Sequence, residues 1–204
     1  MEYNASATKH LFWFMETRET AKLILSEDME RVKQRVIDEN LYNQKSHSRL
    51  INEFACIKGR LLALPKEIIR MLTECDIKTG KLIVFIACMA ADRLLFDMMY
   101  ELYRQKVYLG EGNITEGDLN LFFKNKGEQN EKVAGISEAS IKKLKQVYCK
   151  YMFEAGLLGG NVKEKKIVRP YMEEELKALL KHHNMDKYKG VIKVVQRDER
   201  CLSG

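Results

Sequence analysis

The sequence predicts an all-α protein with two packed helical subdomains and one short β-hairpin. Most of the chain carries apolar residues at the three- and four-residue spacings of amphipathic helices. Its 204 residues include only two prolines and twelve glycines, too few for the many tight turns of an all-β sandwich. Two short apolar runs around a lysine-rich tip are confined to residues 157–170. This is the one segment that favours a hairpin.

Composition excludes a disordered tail and an integral membrane protein. Apolar residues make up 46% of the chain and supply a core, whereas charged residues make up 31%. The longest apolar run, Leu82–Ala91, is about half of the roughly 20 residues that cross a bilayer. The N-terminus has too short an apolar stretch for a signal peptide. The five cysteines form no CxxC pair. We therefore expect a reduced, cytoplasmic protein without membrane contact.

The first subdomain is predicted to span residues 1–110. Its helices are expected at four places: His10–Leu25, Asp28–Asn40, Ser46–Leu64 and Pro65–Cys75. The region Lys78–Tyr108 then holds two helices or one long bent helix. Its first half is apolar on every side, which is typical of a central core helix. We expect four of its side chains in the middle of the bundle: Leu82, Phe85, Ile86 and Met89. The segment Gly110–Asn113 interrupts the helical pattern and marks the boundary.

The second subdomain, residues 111–204, is predicted to contain a winged helix-turn-helix-like unit. The expected elements are a helix Thr115–Lys126, a polar segment Gly127–Ile136, a helix Ser137–Ala155, a hairpin Val162–Arg169 and a final helix Tyr171–His182. Ser, Thr and Gly stand where such helices begin and end. Two helices followed by a basic hairpin is the order of a winged helix-turn-helix.

The positive charge of the chain is concentrated in this second subdomain. Residues 1–136 carry 20 basic and 20 acidic residues, whereas residues 137–170 carry eight basic and three acidic ones. On a helical wheel, Lys142, Gln146 and Lys150 form a stripe opposite the apolar side, with Lys143 beside it. Such asymmetry favours a polyanionic partner over a uniformly solvated surface, although a lysine-rich face without a partner has the same pattern.

The candidate DNA-binding residues come from the second helix and the hairpin. They are Lys142, Lys143, Lys145, Gln146, Lys150, Lys163, Lys165, Lys166 and Arg169. Lysine contacts phosphates without reading sequence, and only Gln146 on the stripe has the bidentate amide that pairs with adenine. The predominance of lysine over arginine favours weakly specific binding to the backbone.

Motifs of catalysis and of cofactor binding are absent from the sequence. There is no Walker A loop, and Gly110-Glu111-Gly112 lacks the third glycine of a dinucleotide-binding motif. No serine lies in a G-x-S-x-G elbow, and no histidine has metal-ligand spacing to a cysteine or a carboxylate. We expect no catalytic residue, no metal and no cofactor, and thus a protein that is not an enzyme.

Four segments carry a resemblance to a known family: Glu16–Leu25, Arg60–Leu64, Ser137–Val147 and Glu154–Leu158. From about residue 11 to residue 181 the chain resembles the BrxA family of BREX (bacteriophage exclusion) systems, whose members were once labelled inner-membrane proteins. The resemblance implies an all-helical, cytosolic DNA-binding protein without catalytic residues. It also implies a role in phage defence beside a methyltransferase and ATPases.

Together these observations predict a non-enzymatic component of a BREX system that binds double-stranded DNA. The expected partners are duplex DNA and other BREX proteins. Two alternatives stay open at this point. A protein–protein adapter would use the helical bundle to dock other defence components and the basic face to contact an acidic partner. An RNA-binding helical module would use the same lysines.

Overall fold

The computed structural model describes residues 2–161 and 163–192. The described residues form a helical protein with one small antiparallel sheet, which confirms the predicted fold class. Val162, predicted as the first residue of the hairpin, lies outside the described residues. The helices before residue 110 are α1 (Phe14–Ser26), α2 (Met29–Asp38), α3 (His47–Leu62), α4 (Lys66–Glu74), α5 (Ile77–Ala91), α6 (Arg93–Met98) and α7 (Arg104–Tyr108).

The region predicted as two helices or one bent helix contains a break at Asp92. The Asp92 carboxylate accepts hydrogen bonds from the N–H groups of Leu94 and Leu95, at 2.9 and 3.1 Å, and so begins α6. A π-helical turn, Met99–Tyr103, joins α6 to α7. The predicted region therefore consists of one core helix followed by a second helix with a π-helical turn inside it.

Helix α5 is the centre of the protein. It packs against α1, α3, α4, α6 and the later helix α10 (Glu138–Glu154). Leu82 is 1% exposed, and Phe85, Ile86 and Met89 are fully buried. A helix that is apolar all round has no face for water, so it is covered on every side. The predicted core is confirmed.

The N-terminal segment differs from the prediction. Helix α1 begins at Phe14 instead of His10, and a 3-10 turn precedes it at Ser6–Lys9. The residue before α1, Trp13, has a φ of 51°, in the left-handed region. Arg60 donates to the carbonyl oxygens of Leu11 and Phe12, at 3.0 and 3.1 Å. These long-range bonds keep the segment outside the helix, and local periodicity gives no sign of them.

The described residues after residue 110 form β1 (Asn113–Ile114), α8 (Glu116–Gln129), α9 (Glu131–Ala134), α10, β2 (Leu158–Gly160), β3 (Lys165–Ile167), α11 (Glu174–His182) and α12 (Asp186–Ile192). The polar segment predicted at Gly127–Ile136 is mostly helical. Asn130 ends α8 and accepts a hydrogen bond from the N–H of Lys132, which begins α9, and the buried Val133 anchors that short helix. The final predicted helix begins at Glu174 instead of Tyr171, and α12 was not predicted.

The sheet has three strands instead of the predicted two. Strand β3 lies between β1 and β2 and is antiparallel to both. Lys165 is paired with Ile114 on one side and with Gly160 on the other. Gly160 has a φ of +82°, and a Cβ atom there would lie 2.4 Å from the carbonyl oxygen of Glu164. The turn therefore requires glycine at this position. A two-residue strand such as β1 is too short for a periodic pattern to reveal.

Candidate nucleic-acid interface

Helix α10 carries most of the predicted site, and its ends form as the sequence predicts. The hydroxyl oxygen of Ser137 accepts from the N–H of Ser140 at 3.3 Å, which caps the first turn. Gly156 follows the helix with a φ of +72°. Side chains spaced three and four residues apart form the buried face, where Leu144, Tyr148 and Met152 are fully buried.

Three polar contacts fix α10 against the N-terminal half of the chain. The Tyr148 hydroxyl donates to the Asp92 carboxylate at 2.8 Å, and burial raises the pKa of Asp92. The Tyr151 hydroxyl donates to the carbonyl oxygen of His10 at 3.1 Å. Lys81 forms an ion pair with Glu154 at 3.0 Å. The helix is thus held against α5 and the segment before α1, and its opposite face is presented on a rigid support.

That opposite face is basic and open to solvent. Lys142, Lys143, Gln146 and Lys150 are all exposed; we call them the basic face of α10. No acidic residue occurs in the sequence between Glu138 and Glu154. Within the described part of the chain, no carboxylate lies at ion-pair distance from the three lysines of this face. Their charges are therefore free to interact with an external anion.

Lys145 has a different environment from its neighbours. Its ammonium lies 3.1 Å from a carboxylate oxygen of Glu116 and also donates to the side-chain oxygen of Asn120. The side chain is only 14% exposed. Since Glu116 and Asn120 belong to α8, Lys145 joins α8 to α10 and contributes little free positive charge to the candidate interface.

The hairpin lysines divide between the interior and the solvent. Lys165 is 8% exposed and lies near Cys149. Burial raises the pKa of the Cys149 thiol to about 11, although the nearby Lys165 charge opposes that shift. Lys166 is 60% exposed and pairs with Glu164 at 3.2 Å, and Lys163 is exposed. Neighbouring side chains of a strand point to opposite faces of the sheet. Lys165 and Lys166 therefore cannot both contact the same DNA surface.

Arg169 lies beside α7. The residue is exposed, and its guanidinium donates to the carbonyl oxygen of Val107 at 3.4 Å. The structure therefore places the predicted residues in three groups: the basic face of α10, the exposed hairpin residues Lys163 and Lys166, and Arg169 next to α7.

The sequence analysis missed one exposed basic residue on an element that contacts α10. Lys9 is exposed at the end of the 3-10 turn, and that turn packs against α10. Lys9 and α10 are far apart in the sequence, and residues 1–136 have no net charge that would have drawn attention to it. Only the folded chain brings the turn that carries this lysine against α10.

Residues 2–161 and 163–192 form neither a metal-binding cluster nor a membrane-spanning helix. Among these residues, no group of three or more His, Cys, Asp or Glu side chains is arranged to hold a metal ion. None of the helices they form has the length and hydrophobicity that a membrane span requires.

The fold and the basic face define a mostly helical protein with a lysine-bearing helix beside a small sheet. Comparison with known proteins then identifies the family. Residues 1–184 match the family model of BrxA. A BREX protein BrxA from Bacillus cereus (strain H3081.97) is 34% identical over 182 residues, which cover 87% of this chain and 91% of the relative. The chain belongs to the BrxA family, a family of BREX phage-defence components.

A solved structure supports the fold. The crystal structure of an uncharacterized protein from Magnetospirillum magneticum is similar, with a TM-score of 0.81 and 17% sequence identity. The match covers 96% of this chain and 100% of that one. At this identity the likeness concerns the fold alone.

Proposed function

We propose that this protein is a non-enzymatic, double-stranded DNA-binding component of a BREX phage-defence system. It contacts mainly the phosphate backbone and discriminates weakly between sequences. The observation that carries the proposal is the basic face of α10. There, Lys142, Lys143 and Lys150 are exposed and have no carboxylate partner within the described part of the chain. Free ammonium groups on a rigid helix are suited to a regularly spaced polyanion.

The order of elements around α10 also supports DNA binding through this helix. Strand β1 precedes α8, α8 precedes α10, and β2 and β3 form a hairpin directly after α10. This is the order of a winged helix-turn-helix unit, with a short additional helix between α8 and α10. The second helix of a helix-turn-helix motif enters the major groove. We therefore assign α10 to the groove, and Lys163 and Lys166 of the hairpin to adjacent phosphates.

The side chains of the interface explain why binding is weakly specific. Lysine meets phosphate as a point charge and carries no sequence information. Gln146 is the one residue of the basic face with a bidentate amide, and adenine is its natural partner. Lys145 and Lys165 do not belong to the interface that we propose, because Glu116 neutralises the first and the protein buries the second.

Fluorescence anisotropy with two unrelated DNA duplexes at several salt concentrations tests the proposal. If about four to six side chains meet phosphates, log K falls with log[salt] at a slope of about −4 to −5. The double variant Lys142→Ala/Lys150→Ala weakens binding to both duplexes by the same factor. It also makes the slope of log K against log[salt] shallower by about two units. The control Lys33→Ala/Lys66→Ala removes the same charge from exposed positions on α2 and α4, and leaves the slope unchanged.

The same titration separates the alternatives. An affinity that does not depend on salt, or equal effects of the two double variants, contradicts DNA binding by α10. Tighter binding of an RNA duplex than of a DNA duplex favours an RNA-binding module. Absence of binding to either nucleic acid favours a protein–protein adapter.

A further inference from the structure

Helix α8 is anchored to the N-terminal half of the chain by two buried lysines. Lys106 of α7 lies 2.8 Å from a carboxylate oxygen of Asp118, which belongs to α8. Lys126 of α8 lies 3.1 Å from Asp97 of α6 and also pairs with Glu101 of the π-helical turn. Breaking such a pair leaves a charge buried without a partner, which is strongly unfavourable. Helix α8 therefore has a fixed position against which another element can be aligned.

The backbones of α8 and α10 make few close contacts. Among the described residues, α8 packs mainly against α9 and the π-helical turn, whereas α10 packs mainly against the 3-10 turn, β2 and α5. Lys145 of α10 bridges the two helices, because its ammonium pairs with Glu116 and donates to Asn120, one turn further along α8. No other hydrogen bond or ion pair joins α8 to α10 within the part of the chain that the structure describes.

Lys145 stands at the edge of the basic face of α10. At about 100° per residue it is displaced by about 60° from Lys142, on the side away from Lys143. A rotation of α10 by about 20° moves a side-chain atom about 6 Å from the helix axis by about 2 Å. Binding sites need their side chains within about 0.5 Å and 10–20° of the productive geometry. A link at this edge therefore controls where the lysines and Gln146 point.

The ammonium of Lys145 is already occupied by its two partners on α8, and its side chain is mostly buried. A phosphate contact would require both bonds to break. We propose that Lys145 is a positioning residue for DNA binding: it fixes the orientation of α10 relative to α8 and does not itself contact a phosphate. This inference rests on the proposed function, and it assigns to a basic residue of the DNA-binding helix a role other than charge.

Lys145→Met is the variant that isolates this role. Methionine retains most of the apolar stem and removes only the ammonium. Glu116, which is left without its partner, is more than half exposed and remains solvated. Exposed ion pairs contribute little to stability, so we expect the urea midpoint of unfolding to stay close to that of the original chain. Lys33→Met removes the same charge from an exposed position of α2 and is the matched control.

The orientation of α10 is measured without DNA by double electron–electron resonance. Spin labels are attached through genetically encoded p-acetylphenylalanine at Lys124 of α8 and Glu138 of α10, both exposed and both outside the proposed interface. We expect Lys145→Met to broaden the distance distribution or to shift it by about 2 Å or more, the displacement that a rotation of about 20° produces. Lys33→Met is expected to leave the distribution unchanged.

Fluorescence anisotropy with duplex DNA then measures the consequence for binding. Lys145→Met is expected to raise the Kd about three- to tenfold and to leave the slope of log K against log[salt] unchanged, because no phosphate contact is lost. Lys33→Met should change the Kd less than about twofold. The charge swap Glu116→Lys/Lys145→Glu re-forms the ion pair in the opposite sense. It should return the Kd to within about twofold of the original value.

Three results overturn the proposal. An unchanged distance distribution in Lys145→Met means that the ion pair does not orient α10. A slope made shallower by about one unit in Lys145→Met means that Lys145 contacts a phosphate. Weaker binding by the charge swap than by Lys145→Met has the same meaning, since a carboxylate then faces the DNA. Absence of duplex binding by the original chain contradicts the proposed function instead, and the spin-label distances still decide whether Lys145 orients α10.

Discussion

The guanidinium of Arg60 donates a hydrogen bond to the hydroxyl oxygen of Tyr151, with 2.8 Å between nitrogen and oxygen. The same guanidinium lies over the Tyr151 ring, 5.3 Å from its centre. It also donates to the carbonyl oxygens of Leu11 and Phe12. The Tyr151 hydroxyl in turn donates to the carbonyl oxygen of His10. One buried arginine of α3 thus joins the N-terminal segment to α10, the candidate DNA-binding helix.

Replacing this arginine should destabilise the whole protein. Arg60→Ala removes three charge-assisted hydrogen bonds and leaves buried acceptors unsatisfied, so we expect a loss of about 3 kcal/mol in the free energy of unfolding. Urea denaturation followed by circular dichroism measures it. Tyr151→Phe removes only the hydroxyl and costs about 1–2 kcal/mol. Arg49→Ala, at an exposed position of the same helix, is the control. A loss no larger than that of the control contradicts the central role of Arg60.

The position of α5 gives a second stability prediction. Phe85 is fully buried, so Phe85→Ala removes its packing and leaves a cavity that the surrounding helices fill only in part. The expected cost is about 3–5 kcal/mol. Ile77→Ala, on the same helix but 61% exposed, is expected to change stability by no more than about 0.5 kcal/mol. A cost below about 1 kcal/mol for Phe85→Ala in the same urea titration means that α5 is peripheral.

Glu53 makes stability depend on pH. Burial, and then the negative charge of Glu16, raise the pKa of this carboxyl from 4.5 to about 7. One oxygen accepts from Gln44 at 2.8 Å, and the other is buried without a partner among the described residues. Because the folded protein holds this proton more tightly than the unfolded chain, the free energy of unfolding falls as pH rises from about 4.5 to about 7. Above that range this contribution is constant.

Glu53→Gln removes the charge and keeps a group able to bond to Gln44. It should raise the free energy of unfolding by about 1–3 kcal/mol at pH 8, and change it little at pH 4. Urea titrations across this pH range, with Glu16→Gln as a second variant, provide the measurement. Glu16→Gln removes only the neighbouring charge and is expected to shift the pH profile part of the way. If the free energy of unfolding depends on pH in the same way in the original chain and in Glu53→Gln, then the Glu53 carboxyl is not the source of that dependence.

Helix and hairpin should contribute differently to DNA binding. The lysines on the basic face of α10 are prepositioned, whereas ordering a long side chain at the hairpin costs about 0.5–1.5 kcal/mol. We expect Lys142→Ala/Lys150→Ala chiefly to speed dissociation in stopped-flow experiments. Lys163→Ala/Lys166→Ala should chiefly slow association, because projecting charge steers the encounter. The hairpin variant uses Lys166 because Lys165 is buried. If the hairpin variant instead chiefly speeds dissociation and the α10 variant chiefly slows association, then the hairpin holds the bound DNA and α10 does not.

Features that depend on neighbouring residues were predictable from the sequence. The helical periodicity, the apolar character of α5 and the cap at Ser137 are local, so residues a few positions apart determine them. The same holds for the solvent face of α10, since side chains at four-residue spacing share one side of any helix. The segments quoted for the family resemblance also identified the BrxA family, which the comparisons confirm.

Features that depend on residues distant in sequence were decided by the tertiary structure alone. The lysines at 142, 145 and 165 have the same chemistry in the sequence. The fold leaves the first exposed with no ion-pair partner among the described residues, pairs the second with Glu116 and buries the third. The strand β1 and the irregular segment before α1 likewise need partners from elsewhere in the chain. The physical reason is that burial and long-range hydrogen bonds exist only once the helices pack, and a one-dimensional pattern does not contain them.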